Sequence, residues 1–104
     1  MATLDQNPLI VTDGDAAPAT IIAAGTKLRL RSLRWIVTAG GAATDNIVLQ
    51  DGNSNEITTF VNATGVQADH EQDFSQENGG FNIDGLVLSA EAGTSTWSLY
   101  VYLA

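Results

Sequence analysis

The fold class is decided by residues 94–103, TSTWSLYVYL. Apolar side chains recur there at every second position from Trp97 to Leu103, which is the period of a β-strand with one buried face. The positions between them begin polar and end in Tyr100 and Tyr102. The stretch therefore predicts a strand close to residue 104 that buries one face and carries two tyrosines on the other.

The rest of the chain repeats this type of signal. Apolar and β-branched runs are short, glycine and other turn residues separate them, and no long stretch has the spacing of an amphipathic helix. The 104 residues therefore predict one all-β domain spanning 1–104, a small β-sandwich or jelly roll of about seven or eight strands. We expect residues 1–7 to form a flexible N-terminal arm. The predicted strands before the last one are residues 9–12, 20–24, 27–39, 47–50, 56–62 and 81–89.

The longest run, residues 27–39, changes its buried face along its length. Leu28 and Leu30 share one parity, whereas Leu33 and Trp35 have the other. A regular strand cannot bury both sets on one face, so the run predicts a bulge or bend near Ser32. Such a bend can carry a strand from one sheet of a sandwich to the other.

Residues 65–80 are more acidic and less apolar than the rest of the chain. Long segments without strand or helix signals are uncommon in compact domains and are often functional, so we interpret this one as a loop. The single histidine, His70, lies in it without any catalytic or metal-binding spacing, and we expect it to be solvated. Phe74 is expected to pin the loop to the body of the domain.

The composition excludes several function classes. Net charge is −8, so the chain repels nucleic-acid backbones and anionic membranes. Residues 1–15 lack the charged and apolar regions of a signal peptide, so we do not expect them to act as one, and no apolar run reaches membrane-spanning length. We therefore expect synthesis in a host cytoplasm and no nucleic-acid or membrane partner. With no cysteine, no disulfide and no thiolate metal site can form. Only 15% of residues are charged, which suggests that neighbouring molecules cover part of the surface.

No constellation of residues indicates catalysis. The chain lacks a nucleophile elbow, a phosphate-binding loop and a zinc-binding motif, and it is too short to build a sugar cleft around paired carboxylates. We expect no enzymatic activity, no cofactor and no metal. Residues from Asp51 to Glu56 offer oxygen ligands, but their glycine is misplaced for a calcium loop. A hairpin turn explains them better, with calcium as the lesser alternative.

The basic residues are unusually concentrated. All four lie within eight positions, while all twelve acids lie elsewhere. They either pair with carboxylates on adjacent strands of the same molecule or form a stripe that meets an acidic patch on another subunit, for which arginine is well suited. The two tyrosines of the last strand also suit an interface. The candidate interface residues are therefore Lys27, Arg29, Arg31, Arg34, Tyr100 and Tyr102.

Four segments together resemble a known class of protein. The pattern of residues 28–35 (LRLRSLRW), 45–52 (DNIVLQDG), 81–88 (FNIDGLVL) and 97–102 (WSLYVY) resembles small structural proteins of tailed phages. In particular, it resembles head decoration (cement) proteins with jelly-roll-like folds, and the resemblance covers roughly residues 27–104. It implies a protein that coats the finished capsid, often as a trimer, and clamps neighbouring capsid subunits without any catalytic residues.

The sequence thus predicts a virion protein on the capsid surface, with the major capsid protein as partner and a homo-oligomer, a trimer, as its assembled form. One alternative is another virion component, such as a head-fibre base, a neck protein or a tail-associated protein. A second alternative is a carbohydrate-binding β-sandwich that uses Trp35 or Trp97 as a sugar platform. We disfavour it because both tryptophans share the parity of core residues.

Overall fold

Seven antiparallel strands make up the fold in the computed structural model, which describes residues 8–12, 19–41, 44–74, 81–92 and 95–103. These residues contain no helix, and so none that could cross a membrane. The predicted all-β class is confirmed, while the expected arm at residues 1–7 lies outside the described residues. The strands are β1 (Leu9–Thr12), β2 (Ala19–Ala39), β3 (Asp45–Gln50), β4 (Glu56–Asn62), β5 (Ala68–Asp73), β6 (Phe81–Ala92) and β7 (Thr96–Leu103).

Strand β2 changes its neighbouring strands along its length. Its first part, residues 19–30, pairs with β6, and from Ser32 to Val37 it pairs with β5 on one side and β7 on the other. The register with β7 shifts between Leu30 and Ser32. The bend predicted near Ser32 is thus confirmed, because the strand leaves one set of neighbours there and joins another.

The bend divides the sheet into two halves. Half A consists of β1, β7, the second part of β2 and β5, whereas half B consists of the first part of β2, β6, β3 and β4. Phe60 of half B lies against Trp35 of half A, with ring centroids 6.1 Å apart, so the halves pack face to face as in a sandwich. The core that they enclose is formed by Leu9, Val11, Ile21, Ile22, Leu30, Leu33, Trp35, Val37, Ile47, Leu49, Phe60, Ile83, Leu86, Leu88, Trp97, Leu99 and Val101.

The acidic segment 65–80 is not a plain loop, because it contains strand β5. This strand pairs along the edge of β2 from Ser32 to Val37. The sequence interpretation was wrong here because the inward positions of β5 are Ala68, His70 and Gln72, which give a weak apolar signal. Phe74 acts as predicted: its ring stacks on Phe81 at 5.5 Å, and its backbone N–H donates to the carbonyl of Arg31 at 2.9 Å.

A junction around Asp84 and Gly85 holds half B together. The carboxylate of Asp84 accepts a hydrogen bond from the N–H of Gly25 at 2.7 Å, and its carbonyl accepts one from Gly52 at 2.7 Å. Gly85 has φ +76°, and a Cβ there would lie 3.0 Å from the carbonyl oxygen of Ile22. Only glycine combines this conformation with so close an approach.

Replacing this glycine should cost more stability than replacing a glycine of similar conformation in open space. Gly65 has φ +71° but no neighbour within 4 Å of a built Cβ. Gly65→Ala should lower the free energy of unfolding by about 1–2 kcal/mol, the cost of a left-handed conformation. Gly85→Ala should lower it by a further ~1–3 kcal/mol because neighbouring backbone must move. Urea titrations measure both losses, and equal losses would contradict the packing described for Gly85.

A candidate interface on the outer face of half A

The outer face of half A brings together four strands in cross-strand rows. One row runs from Ile10 on β1 through Tyr100 on β7 and Arg34 on β2 to Glu71 on β5. The strands therefore present a surface that is apolar at β1, aromatic at β7 and acidic at β5. Its members are Ile10, Thr12, Ser32, Arg34, Ile36, Asp69, Glu71, Asp73, Ser98, Tyr100 and Tyr102.

The apolar part of this face is accessible. Ile10 is 51% exposed, and Tyr100 and Tyr102 are half-buried. Tyr102, Arg31 and Arg34 also line a shallow depression of about 340 Å³. Rings that are partly covered on a rigid sheet lose little conformational entropy when a partner covers the rest. This part of half A is therefore suited to protein contact.

Arg34 forms an ion pair within its own chain. Its Nε donates to both carboxylate oxygens of Asp69 at 3.0 Å, and its terminal guanidinium nitrogen also contacts that carboxylate. The hydrogen bond from Arg34 holds the pKa of Asp69 below its usual value, and the same contact raises the pKa of Arg34, with a smaller contribution from Tyr102. For Arg34, the interpretation as a base paired on its own sheet is the one that the structure supports.

The other three bases separate into two locations. Arg31 is exposed at the rim of the half A face, whereas Lys27 and Arg29 lie in half B, opposite Asp84 and Asn82 of β6. Neither Lys27 nor Arg31 forms an ion pair with any described residue. The bend in β2 thus divides the predicted basic stripe. It places Arg31 and Arg34 beside Tyr102, with Tyr100 opposite Arg34, and it leaves Lys27 and Arg29 on the other half of the molecule.

His70 is not the solvated loop histidine expected from the sequence. Its ring stacks on Trp35 with centroids 5.3 Å apart, and its Nε2 lies 2.8 Å from Oδ1 of Asn62. The Asn62 amide donates its N–H groups to the carbonyls of Ala63 and Val66, so Oδ1 is the acceptor and His70 Nε2 carries a proton. His70 therefore closes the sandwich between β4 and β5. The sequence did not predict this role, because residues 65–80 were interpreted as a loop.

The structure also describes the residues on which the sugar-binding and calcium-binding alternatives depend. Trp35 and Trp97 are 0% and 2% exposed, so their predicted core position is confirmed and neither offers a sugar platform.

Residues 51–55 form the predicted hairpin turn. The carboxylate of Asp51 accepts the N–H groups of Asn53 and Asn55, both at 2.9 Å. The backbone hydrogen bond from Asn55 is the main cause that lowers the pKa of Asp51, and the carboxylate that calcium would need is occupied in closing the turn.

Comparison with known proteins does not assign this chain to a family. No family model matches the chain, and no curated protein sequence matches it. FlgD from Xanthomonas campestris, a protein of flagellar hook capping, is 15% identical over 86% of this chain and 84% of its own, with a TM-score of 0.40. The SPBc2 prophage-derived protein YomS is 13% identical over 98% of this chain and 99% of its own, with a TM-score of 0.38.

A plant-virus protein is also among the similar structures. The coat protein of Tobacco streak virus is 12% identical over 98% of this chain and 90% of its own, with a TM-score of 0.29. The three proteins thus come from a flagellum, a prophage and a virus coat. At this level of similarity they do not assign a family or a function to this chain.

The ion pair between Arg34 and Asp69 generates a pH-dependent prediction. Because the folded pKa of Asp69 is lowered, the pair stabilises the protein above the ordinary aspartate pKa of about 3.9. That stability is lost as the pH falls through the lowered value. Arg34→Gln should raise the pKa of Asp69 back towards its ordinary value, as measured by carboxyl chemical shifts in an NMR titration. Asp51 serves as the internal control, because its lowered pKa depends on Asn55. A pKa of Asp69 that does not move in Arg34→Gln would contradict the ion pair.

Proposed function

We propose that this chain is a structural protein of a virus particle, and specifically a decoration protein that binds the outer surface of a capsid. The observation that carries the proposal is the outer face of half A. Exposed Ile10 lies opposite Tyr100 there, Tyr100 lies opposite Arg34, and Tyr102 lines a depression with Arg31 and Arg34. The resemblance of residues 27–104 to decoration proteins supports the same role. The partner is the major capsid protein, and no catalytic step belongs to the proposal.

The charge arrangement supports a protein partner with acidic groups. A chain of net charge −8 approaches an acidic surface only where its own bases are presented. Arg31 is exposed and makes no ion pair with a described residue, so its guanidinium can take a carboxylate in bidentate geometry. Tyr100 and Tyr102 then supply packing beside that contact. Lys27 and Arg29, on half B, would meet a second surface.

The mechanism is mechanical and follows from mass action. A protein that binds only the closed shell stabilises it, because the bound copies must dissociate before the shell opens. At a free concentration of 100 times Kd, each site adds about 2.7 kcal/mol. Many weak contacts therefore reinforce a capsid without any single strong one. We propose that the binding unit is a homo-oligomer, a trimer, since one unit then spans several capsid subunits at once.

A different virion component is the second candidate. A head-fibre base, a neck protein or a tail-associated protein would use the same aromatic and basic face on another partner. The number of copies per particle distinguishes the two, because a decoration protein covers the whole shell whereas a neck or tail component occurs in few copies. Quantitative mass spectrometry of purified particles gives that number.

Charge reversal at Arg31 tests the proposed contact. Arg31→Glu should weaken binding to capsids by roughly tenfold or more, since an interfacial ion pair becomes a repulsion. Binding of the unchanged protein should weaken as salt rises from 0.1 M to 1 M, because the Debye length falls from ~10 Å to ~3 Å. Co-sedimentation with capsids measures both effects, and light scattering gives the mass of the unbound oligomer.

The matched control adds two negative charges elsewhere. Ala63 and Gln67 are exposed in the β4–β5 connection, so Ala63→Asp combined with Gln67→Glu changes net charge as much as Arg31→Glu does. Asp69 is unsuitable as a control because it pairs with Arg34. Binding that is insensitive to salt, or equal loss in both variants, would contradict a specific contact at Arg31. A strictly monomeric protein, free and on particles, would contradict the trimer.

A further inference from the structure

Half B carries a depression of about 650 Å³, larger than the one on half A, and the strand pairing explains why it exists. Strand β3 pairs only with the second part of β6, so among the described strands the first part of β6 has one neighbour, β2. The β3–β4 turn closes one end through the hydrogen bond from Gly52 to Asp84. The half B depression is the open space that remains between residues 27–29, residues 82–84 and Asp51.

The two carboxylates of the half B depression are held by donors of their own chain. The carboxylate of Asp84 accepts hydrogen bonds from the N–H of Gly25 at 2.7 Å and from the side-chain amide of Asn53 at 3.4 Å. The carboxylate of Asp51 accepts the N–H groups of Asn53 and Asn55. Both acids are therefore already engaged in holding the turn and the strands beside it.

The two bases of the half B depression come from β2, and both are exposed. Lys27 lies directly opposite Asp84, yet it forms no ion pair with Asp84 or with any other described residue. Arg29 lies opposite Asn82, so its direct neighbour on β6 is uncharged. The β2 side of the depression thus presents positive charge, whereas the acids lie towards the turn.

A backbone donor and an apolar floor complete the half B depression. The carbonyl of Asp84 points away from β2, because it accepts a hydrogen bond from Gly52. Residues two apart in a strand direct their backbone groups to the same side, so the N–H of Asn82 also points away from β2, into the open space. Leu28 is half-buried and Ile83 is 5% exposed, and both line the depression beside the charged groups.

These groups select the class of ligand. An ammonium group without an ion pair, next to carboxylates that are already occupied, favours an anion. A singly charged carboxylate meets less repulsion from Asp51 and Asp84 than a doubly charged phosphate does. Sites for small molecules bury most of the ligand, whereas this depression is open. A segment of another protein fits it better, because the partner covers the depression with surface of its own.

We propose that the half B depression binds an acidic segment of another protein. A carboxylate of that segment pairs with Lys27 as a point charge and with Arg29 in bidentate geometry. An apolar side chain next to the carboxylate covers Leu28 and Ile83. The site is separate from the outer face of half A and does not depend on the proposed contact with a capsid, so either site can fail while the other holds.

A peptide titration of the purified protein tests this site. The probe is a short peptide that alternates glutamate and valine, with blocked ends. It should shift the amide NMR signals of Lys27, Asn82 and Ile83, and the Asn82 amide should exchange more slowly with solvent. A peptide that alternates lysine and valine, and inorganic phosphate, should not. No shift at about 1 mM acidic peptide, equal shifts with phosphate, or shifts confined to Arg31 and Tyr102 on half A would overturn the proposal.

Charge reversal at Lys27 tests the ionic contact. Lys27→Glu should weaken binding of the acidic peptide by roughly tenfold or more, and Lys27→Gln by roughly threefold or more, since one creates a repulsion and the other only removes an attraction. The matched control is Ala63→Asp combined with Gln67→Glu, at exposed positions outside the depression. It changes net charge as much as Lys27→Glu does and should alter binding by less than about twofold at physiological salt. Circular dichroism shows that each variant is folded. Equal losses in Lys27→Glu and the control would overturn the proposal.

Discussion

The structure depends on the change of buried face in β2 between Leu30 and Leu33. Two inward leucines three residues apart cannot lie on one face of a regular strand, so the chain must bend between them. The bend gives one strand two sets of neighbours: β6 before it, β5 and β7 after it. Both halves of the sandwich are therefore covalently continuous through β2, and the core closes because one strand contributes side chains to both inner faces.

Both the bend in β2 and the core residues can be predicted from the sequence, and the physical reason is the same. Burial of alternate side chains leaves a period-two pattern that survives without any tertiary information, as Trp97 to Val101 illustrate. Strand β5 leaves no such pattern, because Ala68 and His70 are its half-buried inward residues. Its place is determined by the free edge of β2, which exists only once β2 has bent. The pairing of Arg34 with Asp69 was hidden for the same reason, since selecting one acid among twelve requires knowing where β5 lies.

The outer faces of the two sheet halves differ in composition. Half A presents side chains that are apolar, aromatic, basic and acidic in succession. Half B is nearly uncharged around Val48 and Val61. A face that combines charge with aromatic rings has the features by which protein surfaces discriminate between partners, and of the two halves half A has them.

Strand β1 pairs with β7, where Leu9 lies opposite Val101. The two ends of the domain are thus neighbours in space although nearly the whole chain separates them. Closing so long a loop precedes any gain from the contact, and folds rich in such distant pairs form slowly, on the scale of milliseconds to seconds. During synthesis at about 5–20 residues per second, half A cannot be completed until β7 has left the ribosome. Until then β1 and the second part of β2 lack the strand that lies between them.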